Sequence, residues 1–233
     1  MPLPTLETTK YTTTVPSTQQ EIEYRPFLVK EEKILMMAQE TNDPKAILKV
    51  TKDILSSCTF EKLDVNTLTM YDIEYLFLQL RMKSVGEIAN IKLKCQETNE
   101  YVDYELDLSE VQVTYPEKKI DNKLQLTDKV GVTLKPISVD DAGDISLEKE
   151  DKQLVWGIAA SIDTVYDEDS VYSLSDFSEK EVTEFVESLN RSQLEKIQEF
   201  ITNQPTLSHT IKFKGPKGHD NEITITGLQS FFT

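Results

Sequence analysis

The sequence is short of the residues that most metal and disulfide sites require. Its 233 residues include two cysteines and two histidines, and neither pair forms a CxxC or HxxxH arrangement. Zinc sites need ligands at close spacing, so no metal is predicted. Cys58 and Cys95 lie far apart, and both are expected to be reduced thiols, with Cys58 a small buried apolar residue.

Glycine is also scarce, at seven residues, and the glycine-rich motifs of nucleotide enzymes are missing. There is no Walker loop, no GxGxxG and no GxSxG elbow, and Gly215-Pro216-Lys217-Gly218 is too short and begins no helix. The acidic runs Asp140–Asp144 and Asp167–Asp169 lack the alternating DxDxDG pattern of a calcium loop. The sequence therefore predicts neither an enzyme nor a cofactor.

Basic charge is lacking as well, because 25 basic residues face 41 acidic ones for a formal net charge of −16. A general nucleic-acid binder and a protein that docks on anionic membranes both need basic surfaces, so neither is predicted. No apolar run is long enough to span a membrane, and residues 1–14 lack the pattern of a secretory signal. The excess of acidic residues indicates either a solvated surface or an electrostatic match to a basic protein partner.

Periodicity in the first half of the chain predicts strands, then helices, then strands. Two short strands flank the turn Pro16–Gln19, and three helices follow, of which the third has a Thr69/Asp72 capping box and the most apolar sequence. After Gly86 the apolar period changes from 3.6 to 2, which predicts a small central antiparallel sheet. The predicted elements are strands at 11–15 and 21–24, helices at 29–40, 44–58 and 70–85, and strands from 88 to 135.

The last third of the chain is predicted to be mostly helical, so an α+β fold class is predicted. An acidic loop at 138–144 precedes a predicted helix at 147–163, and a helical hairpin opens with a capping box at Ser178. A β-hairpin at 210–213 and 222–226 closes the chain. We predict an N-terminal α+β body over 1–136 and a second region over 137–233, or one continuous domain.

The segment 23–39 is the most informative local feature of the sequence. Pro26 fixes its own φ and disfavours helix at Arg25, so the chain switches there from strand to helix. Beyond the switch, Ile34, Leu35 and Ala38 form a predicted apolar stripe. Five residues at helix edges are interpreted either as partner contacts or as ordinary core: Met36, Met37, Tyr71, Tyr75 and Met82.

Three segments resemble a known family. VPSTQQEIEYRPFLVKEEKILMMA (15–38), DIEYLFLQLRMKSVGE (72–87) and NEITITGLQSFF (221–232) are similar to the baseplate hub proteins of T-even-like, contractile-tailed bacteriophages. The order of the three segments and the spacing between them also fit this family. The resemblance implies a non-enzymatic structural or assembly protein of the baseplate hub, made in the host cytoplasm and located in the tail of the virion. It also implies cysteine pairs in hairpins that correspond to 94–101 and 214–219, where this chain has only Cys95 and His219.

The predicted function is therefore protein contact with other baseplate or tail subunits, and self-association is a further predicted contact. An assembly chaperone that is absent from the virion is the alternative, followed by a metal-dependent enzyme. For Arg25 and Arg81 the alternative is that each pairs with a carboxylate inside the protein. The predicted contact residues are Arg25, Phe27, Lys30, Glu31, Glu32, Arg81, Lys83, Phe231 and Phe232.

Overall fold

The computed structural model describes residues 7–41, 43–118, 120–145 and 148–227. Their contacts divide the chain into two compact units. Unit 1 comprises the described residues of Met1–Thr114 and Thr206–Thr233, and unit 2 is Tyr115–Pro205. This division differs from the predicted boundary at 136/137, because unit 2 is inserted between two parts of unit 1.

The described residues contain seven α-helices, two 3-10 turns (Leu108–Glu110 and Leu174–Asp176) and eleven strands. The helices are α1 (Val29–Glu40), α2 (Pro44–Cys58), α3 (Met70–Ser84), α4 (Val139–Ile145), α5 (Glu150–Ser161), α6 (Glu179–Glu187) and α7 (Arg191–Thr202). The strands are β1 (Tyr11–Thr14), β2 (Glu21–Tyr24), β3 (Ile88–Lys94), β4 (Tyr101–Asp107), β5 (Gln112–Thr114), β6 (Lys123–Gln125), β7 (Gly131–Leu134), β8 (Ile162–Tyr166), β9 (Val171–Tyr172), β10 (Thr206–Lys214) and β11 (Asp220–Thr226). The predicted α+β class is confirmed.

Unit 1 is built around α3, as the apolar content of that helix predicts. Thr69 Oγ1 accepts from the Asp72 backbone N–H and Asp72 accepts from the Thr69 N–H, which confirms the capping box. Leu78 and Met82 of α3 pack against alternate residues of the β3–β4 hairpin and of β10. The buried members of this core are Leu78, Met82, Ala89, Ile91, Leu93, Leu106, Leu108, Val111, Leu207, Ile211 and Phe213.

The C-terminal hairpin belongs to unit 1 because β10 pairs with β5 as well as with β11. Thr206 lies opposite Thr114, and Ser208 lies opposite Gln112 and Thr226. The predicted central sheet is therefore wrong as a single sheet. Its strands divide between the β3–β4 hairpin, the β11–β10–β5 sheet and a β6–β7–β8–β9 sheet in unit 2. Pairing over more than 90 residues is not encoded in local periodicity.

Unit 2 packs α5, α6 and α7 on its four-stranded antiparallel sheet. Asn190 caps α7 and Ser178 caps α6, so the predicted helical hairpin is confirmed. Two predicted details are corrected. Residues 138–144 contain helix α4 rather than a loop, and Ile162 and Asp163 begin strand β8 rather than ending a helix. The buried core is Val132, Leu134, Ile158, Ala159, Ile162, Val165, Val182, Val186, Ile197 and Phe200.

Candidate interaction surface

The strand-to-helix junction is fastened by a buried ion pair between Arg25 and Glu31. Arg25 Nη2 donates to Glu31 Oε1 at 2.8 Å, and Nη1 donates to Oε2 at 3.1 Å. Ser57 at the end of α2 completes the cluster, since its Oγ accepts from Arg25 Nη2 at 3.0 Å. Arg25 and Glu31 are only 9% and 5% exposed. A forked pair of this kind holds β2, α1 and α2 in one arrangement.

Glu31 also caps its own helix. The Leu28 backbone N–H donates to Glu31 Oε2 at 2.6 Å, so this carboxylate stabilises the first turn of α1. Burial is the largest influence on the Glu31 pKa and raises it. Hydrogen bonds from Arg25 and the Leu28 N–H, with the charges of Arg25 and Lys30, outweigh burial and lower the pKa to about 2.

Three predicted contact residues therefore lie inside unit 1. Arg25 pairs with an internal carboxylate, which was the alternative interpretation from sequence. Phe27 is 9% exposed and stacks on Phe77 with ring centroids 6.4 Å apart, and Glu31 is engaged by Arg25 and Leu28. Their side chains offer little surface to a partner, and their observed role is to fix the position of α1. Their contact with a partner stays a prediction.

The other predicted contact residues have different positions. Lys30 and Glu32 are exposed on the first turn of α1. Arg81 is half-buried and donates to the Gly86 carbonyl, and Lys83 is exposed and pairs with Glu87 at 2.9 Å. Phe231 and Phe232 lie outside the described residues. Direct contact of these six residues with a partner stays a prediction.

The outer face of α1 is an exposed surface of this helix, which the junction holds in place. We use this name for Val29, Ile34, Met36 and Met37, which are 79%, 51%, 57% and 59% exposed. The inner face consists of Glu31, Leu35 and Ala38, and α1 packs on α2. Of the predicted apolar stripe, Leu35 and Ala38 lie on the inner face, whereas Ile34 is exposed. Glu31 takes the inward position, because the Arg25 charge compensates its burial.

Of the five helix-edge residues with two interpretations, Met36 and Met37 are exposed, Tyr71 and Met82 are buried and Tyr75 is half-buried. Charged side chains are interleaved with the outer face of α1, namely those of Lys30, Glu32, Lys33 and Glu40. Exposed methionines surrounded by charged groups are typical of protein contact sites. Since the sequence shows apolar residues on both sides of α1, only the packing reveals which side is free.

A second feature of unit 1 is the meeting of two hairpin turns, at Cys95–Glu100 and Gly215–His219. The Gln96 N–H donates to Asn221 Oδ1 at 3.2 Å, and His219 Nδ1 lies 3.1 Å from Glu97 Oε2. Gly215 approaches the Cys95 sulfur so closely that a Cβ there would lie 2.7 Å from it. Hydrogen bonds from the side chain and backbone of Thr98 lower the pKa of the Cys95 thiol. These are the hairpins that the resemblance singled out.

Metal ligands do not converge there. Among the described residues, no group of three or more His, Cys, Asp or Glu side chains is arranged to hold a metal ion. Cys58 and Cys95 are both buried, and neither forms a disulfide. The two turns therefore meet through side-chain and backbone hydrogen bonds in the described part of the chain.

A profile of the family described as T4 bacteriophage base plate protein matches residues 8–233. The chain belongs to this family. The predicted membership in a phage baseplate family is thereby confirmed, and the baseplate of the phage tail is its location. The comparisons with curated proteins and with solved structures returned no match. Within the described residues of this base plate protein, no helix has the length and apolar character needed to span a membrane.

Proposed function

We propose that the chain is a non-enzymatic structural or assembly protein of the baseplate hub, and that it acts by contacts with other tail subunits. Membership in the base plate family supports a role in the baseplate, and the outer face of α1 supports a role in contacts with other subunits. That face carries the proposal because it is apolar, exposed and held in place by a buried ion pair that fixes the helix on its other side.

The proposed contact buries the apolar side chains of the outer face against a neighbouring subunit, with charged residues at its edge. Met36 and Met37 lie on adjacent positions and are unbranched, so they adapt to a partner surface. Lys30, Glu32 and Lys33 would set orientation rather than affinity, because exposed charges contribute little net free energy. Assembly would take place in the host cytoplasm, where phage proteins are made.

The first test is the double substitution Met36→Gln, Met37→Gln. Both side chains are exposed, so we expect the free energy of unfolding to change by less than ~0.5 kcal/mol. We expect the yield of assembled baseplates to fall by about tenfold or more, since replacing apolar anchors by polar side chains of similar length weakens an interface strongly. The measurement is complementation of a phage that lacks the gene, with tails counted by electron microscopy.

A matched control is Leu154→Gln, which changes another exposed apolar helix residue, in unit 2. This variant should assemble normally. Normal assembly of the double variant would contradict the proposed use of the outer face of α1. Quantitative mass spectrometry of purified virions then separates the two roles. Presence in virions supports a structural subunit of the hub, and presence in lysates alone supports a chaperone.

A further inference from the structure

Unit 2 contains an open cavity of about 430 Å³ between its sheet and helix α6. Seven of the nine lining residues are aliphatic or aromatic. Val165 of β8 and Val182 of α6 are buried in the floor, and Leu174 and Phe185 are half-buried beside them. Phe177, which is 41% exposed, leaves an aromatic ring accessible at this site. A cavity of this size and lining accepts one or two apolar side chains of another molecule.

Two carboxylates line the same cavity and are held in fixed positions. Tyr172 Oη donates to Asp167 Oδ2 at 2.9 Å, and Ser178 Oγ donates to Glu181 Oε2 at 2.6 Å. Hydrogen bonds from Asp169, Tyr172 and Ser170 lower the pKa of Asp167, and those from Ser178 lower the pKa of Glu181. Both groups therefore carry negative charge throughout the neutral range.

The surrounding sequence strengthens this negative field. Residues 140–187 include 15 acidic and 3 basic side chains. None of the nine residues that line the cavity is basic. The lysines adjacent to the lining residues in sequence pair with other acids: Lys129 with Glu168 at 3.6 Å and Lys180 with Glu184 at 3.6 Å.

The cavity is bordered by exposed apolar groups as well as by acid. Val171 is 70% exposed and Tyr172 37% exposed, and Tyr172 makes an edge-on contact with Phe177 at 6.2 Å between ring centroids. Exposed aromatic groups beside a preformed cavity are typical of binding sites for protein anchors. Charge and apolar surface thus occur together, which a solvated acidic face does not explain.

We infer that this cavity binds a basic amphipathic segment of another baseplate subunit, with an apolar side chain in the cavity and Lys or Arg side chains against Asp167 and Glu181. The inference rests on the proposed function, because it assumes a subunit partner. Charge selects that partner. Unit 2 has 20 acidic and 10 basic residues, so a second copy of unit 2 would be repelled.

Binding chemistry is tested by titrating the full chain with a synthetic twelve-residue peptide that has leucines at helical spacing and four lysines. We expect measurable binding by calorimetry that weakens as salt is raised, since the contacts are partly ionic. Two twin peptides, with glutamate for lysine or serine for leucine, should not bind. Equal binding of the serine twin would reduce the site to non-specific charge attraction and overturn the inference.

Variants locate the binding. Phe177→Ala and the pair Asp167→Asn, Glu181→Gln should each weaken peptide binding by about tenfold, since each removes part of the proposed contact. Asparagine keeps the oxygen that accepts from the Asp169 and Ser170 N–H groups, and glutamine keeps the oxygen that accepts from Ser178. Asp103→Asn with Glu105→Gln on β4 removes the same charge from unit 1 and should change affinity less than about twofold. Equal weakening by the control pair would overturn the inference.

A photo-crosslinking amino acid at Phe177 identifies the natural occupant in infected cells. We expect crosslinks to one baseplate protein, at a segment with more Lys and Arg than Asp and Glu. Crosslinks to a second copy of this chain, to an acidic segment or to nothing would overturn the inference. Virion mass spectrometry keeps the two proposals apart: a chain present in baseplates without such crosslinks leaves the proposed function intact.

Discussion

The first turns of helices α1 and α6 share one capping hydrogen bond in different surroundings. Glu31 and Glu181 each occupy the third helical position and each accept from the backbone N–H of the capping residue. Glu31 is buried against Arg25, whereas Glu181 is exposed at the edge of an apolar cavity. One capping carboxylate therefore fastens the fold, while the other carries its charge at the protein surface.

The difference lies in the compensating cation. Arg25 reaches Glu31 from the end of β2 and allows the carboxylate to be buried. The capping hydrogen bonds of Glu181 come from Ser178, which is neutral. They therefore leave the negative charge of Glu181 uncompensated. The same bond from a backbone N–H to a capping carboxylate thus has different surroundings in the two helices, a buried cation at Glu31 and the edge of an open cavity at Glu181.

The largest expected effect comes from Arg25→Ala. The substitution leaves Glu31 buried without its cation, and we expect a loss of about 3 kcal/mol in the free energy of unfolding. Urea unfolding followed by circular dichroism measures it. Lys30→Ala is the control, because Lys30 lies 3.6 Å from Glu31 but its side chain is 69% exposed. The control should lose less than ~1 kcal/mol. Equal losses would mean that the buried pair has no special role.

A somewhat smaller effect is expected from pH. The folded-state pKa of Glu31 is about 2, below the 4.5 of a free glutamate. Its stabilisation is therefore fully present above pH 4.5 and is lost as pH falls towards 2. The loss amounts to ~3 kcal/mol at most.

Urea unfolding at pH 7, 4.5, 3 and 2 tests this, with Glu31→Gln as the variant that lacks the titrating group. The difference in stability between the wild type and this variant should shrink below pH 4.5. A constant difference down to pH 2 would show that Glu31 is not the responsible carboxylate.

The smallest effect is expected at the other helix opening. Ser178→Ala removes the acceptor of the Glu181 N–H and the donor to Glu181 Oε2. We expect a loss of about 1 kcal/mol, the usual value for an N-cap. The same unfolding assay applies, with Ser175→Ala in the preceding 3-10 turn as the control. A loss close to that of Arg25→Ala would remove the contrast between the two openings.

Local chemistry made several features predictable from the sequence. The capping boxes at Thr69 and Ser178, the Pro26 junction and the core-forming role of α3 all depend on residues within a few positions of one another. The family signatures at 15–38 and 72–87 are local strings as well, and the predicted baseplate family is confirmed.

The candidate surfaces were only partly predictable. The exposed methionines of α1 were among the residues that the sequence left open between core and contact. Arg25, Phe27 and Glu31 were predicted as contacts because they lie in the segment that resembles a family signature and has a charged helix start. Their burial depends on Ser57 of α2 and Phe77 of α3, which are distant in sequence. The cavity of unit 2 had no sequence signal, since its lining comes from segments between 130 and 185 that meet only in the fold.

The sequence by itself determined the helix caps, the acid-rich composition, the α+β class and the family resemblance, because each is written in neighbouring residues. The tertiary structure alone decided the pairing of β5 with β10, the burial of Glu31 and the exposed side of α1. These depend on which distant side chains supply a backbone partner, a compensating charge or an apolar neighbour. The same factors decide whether a capping carboxylate is buried, as Glu31 is, or exposed, as Glu181 is.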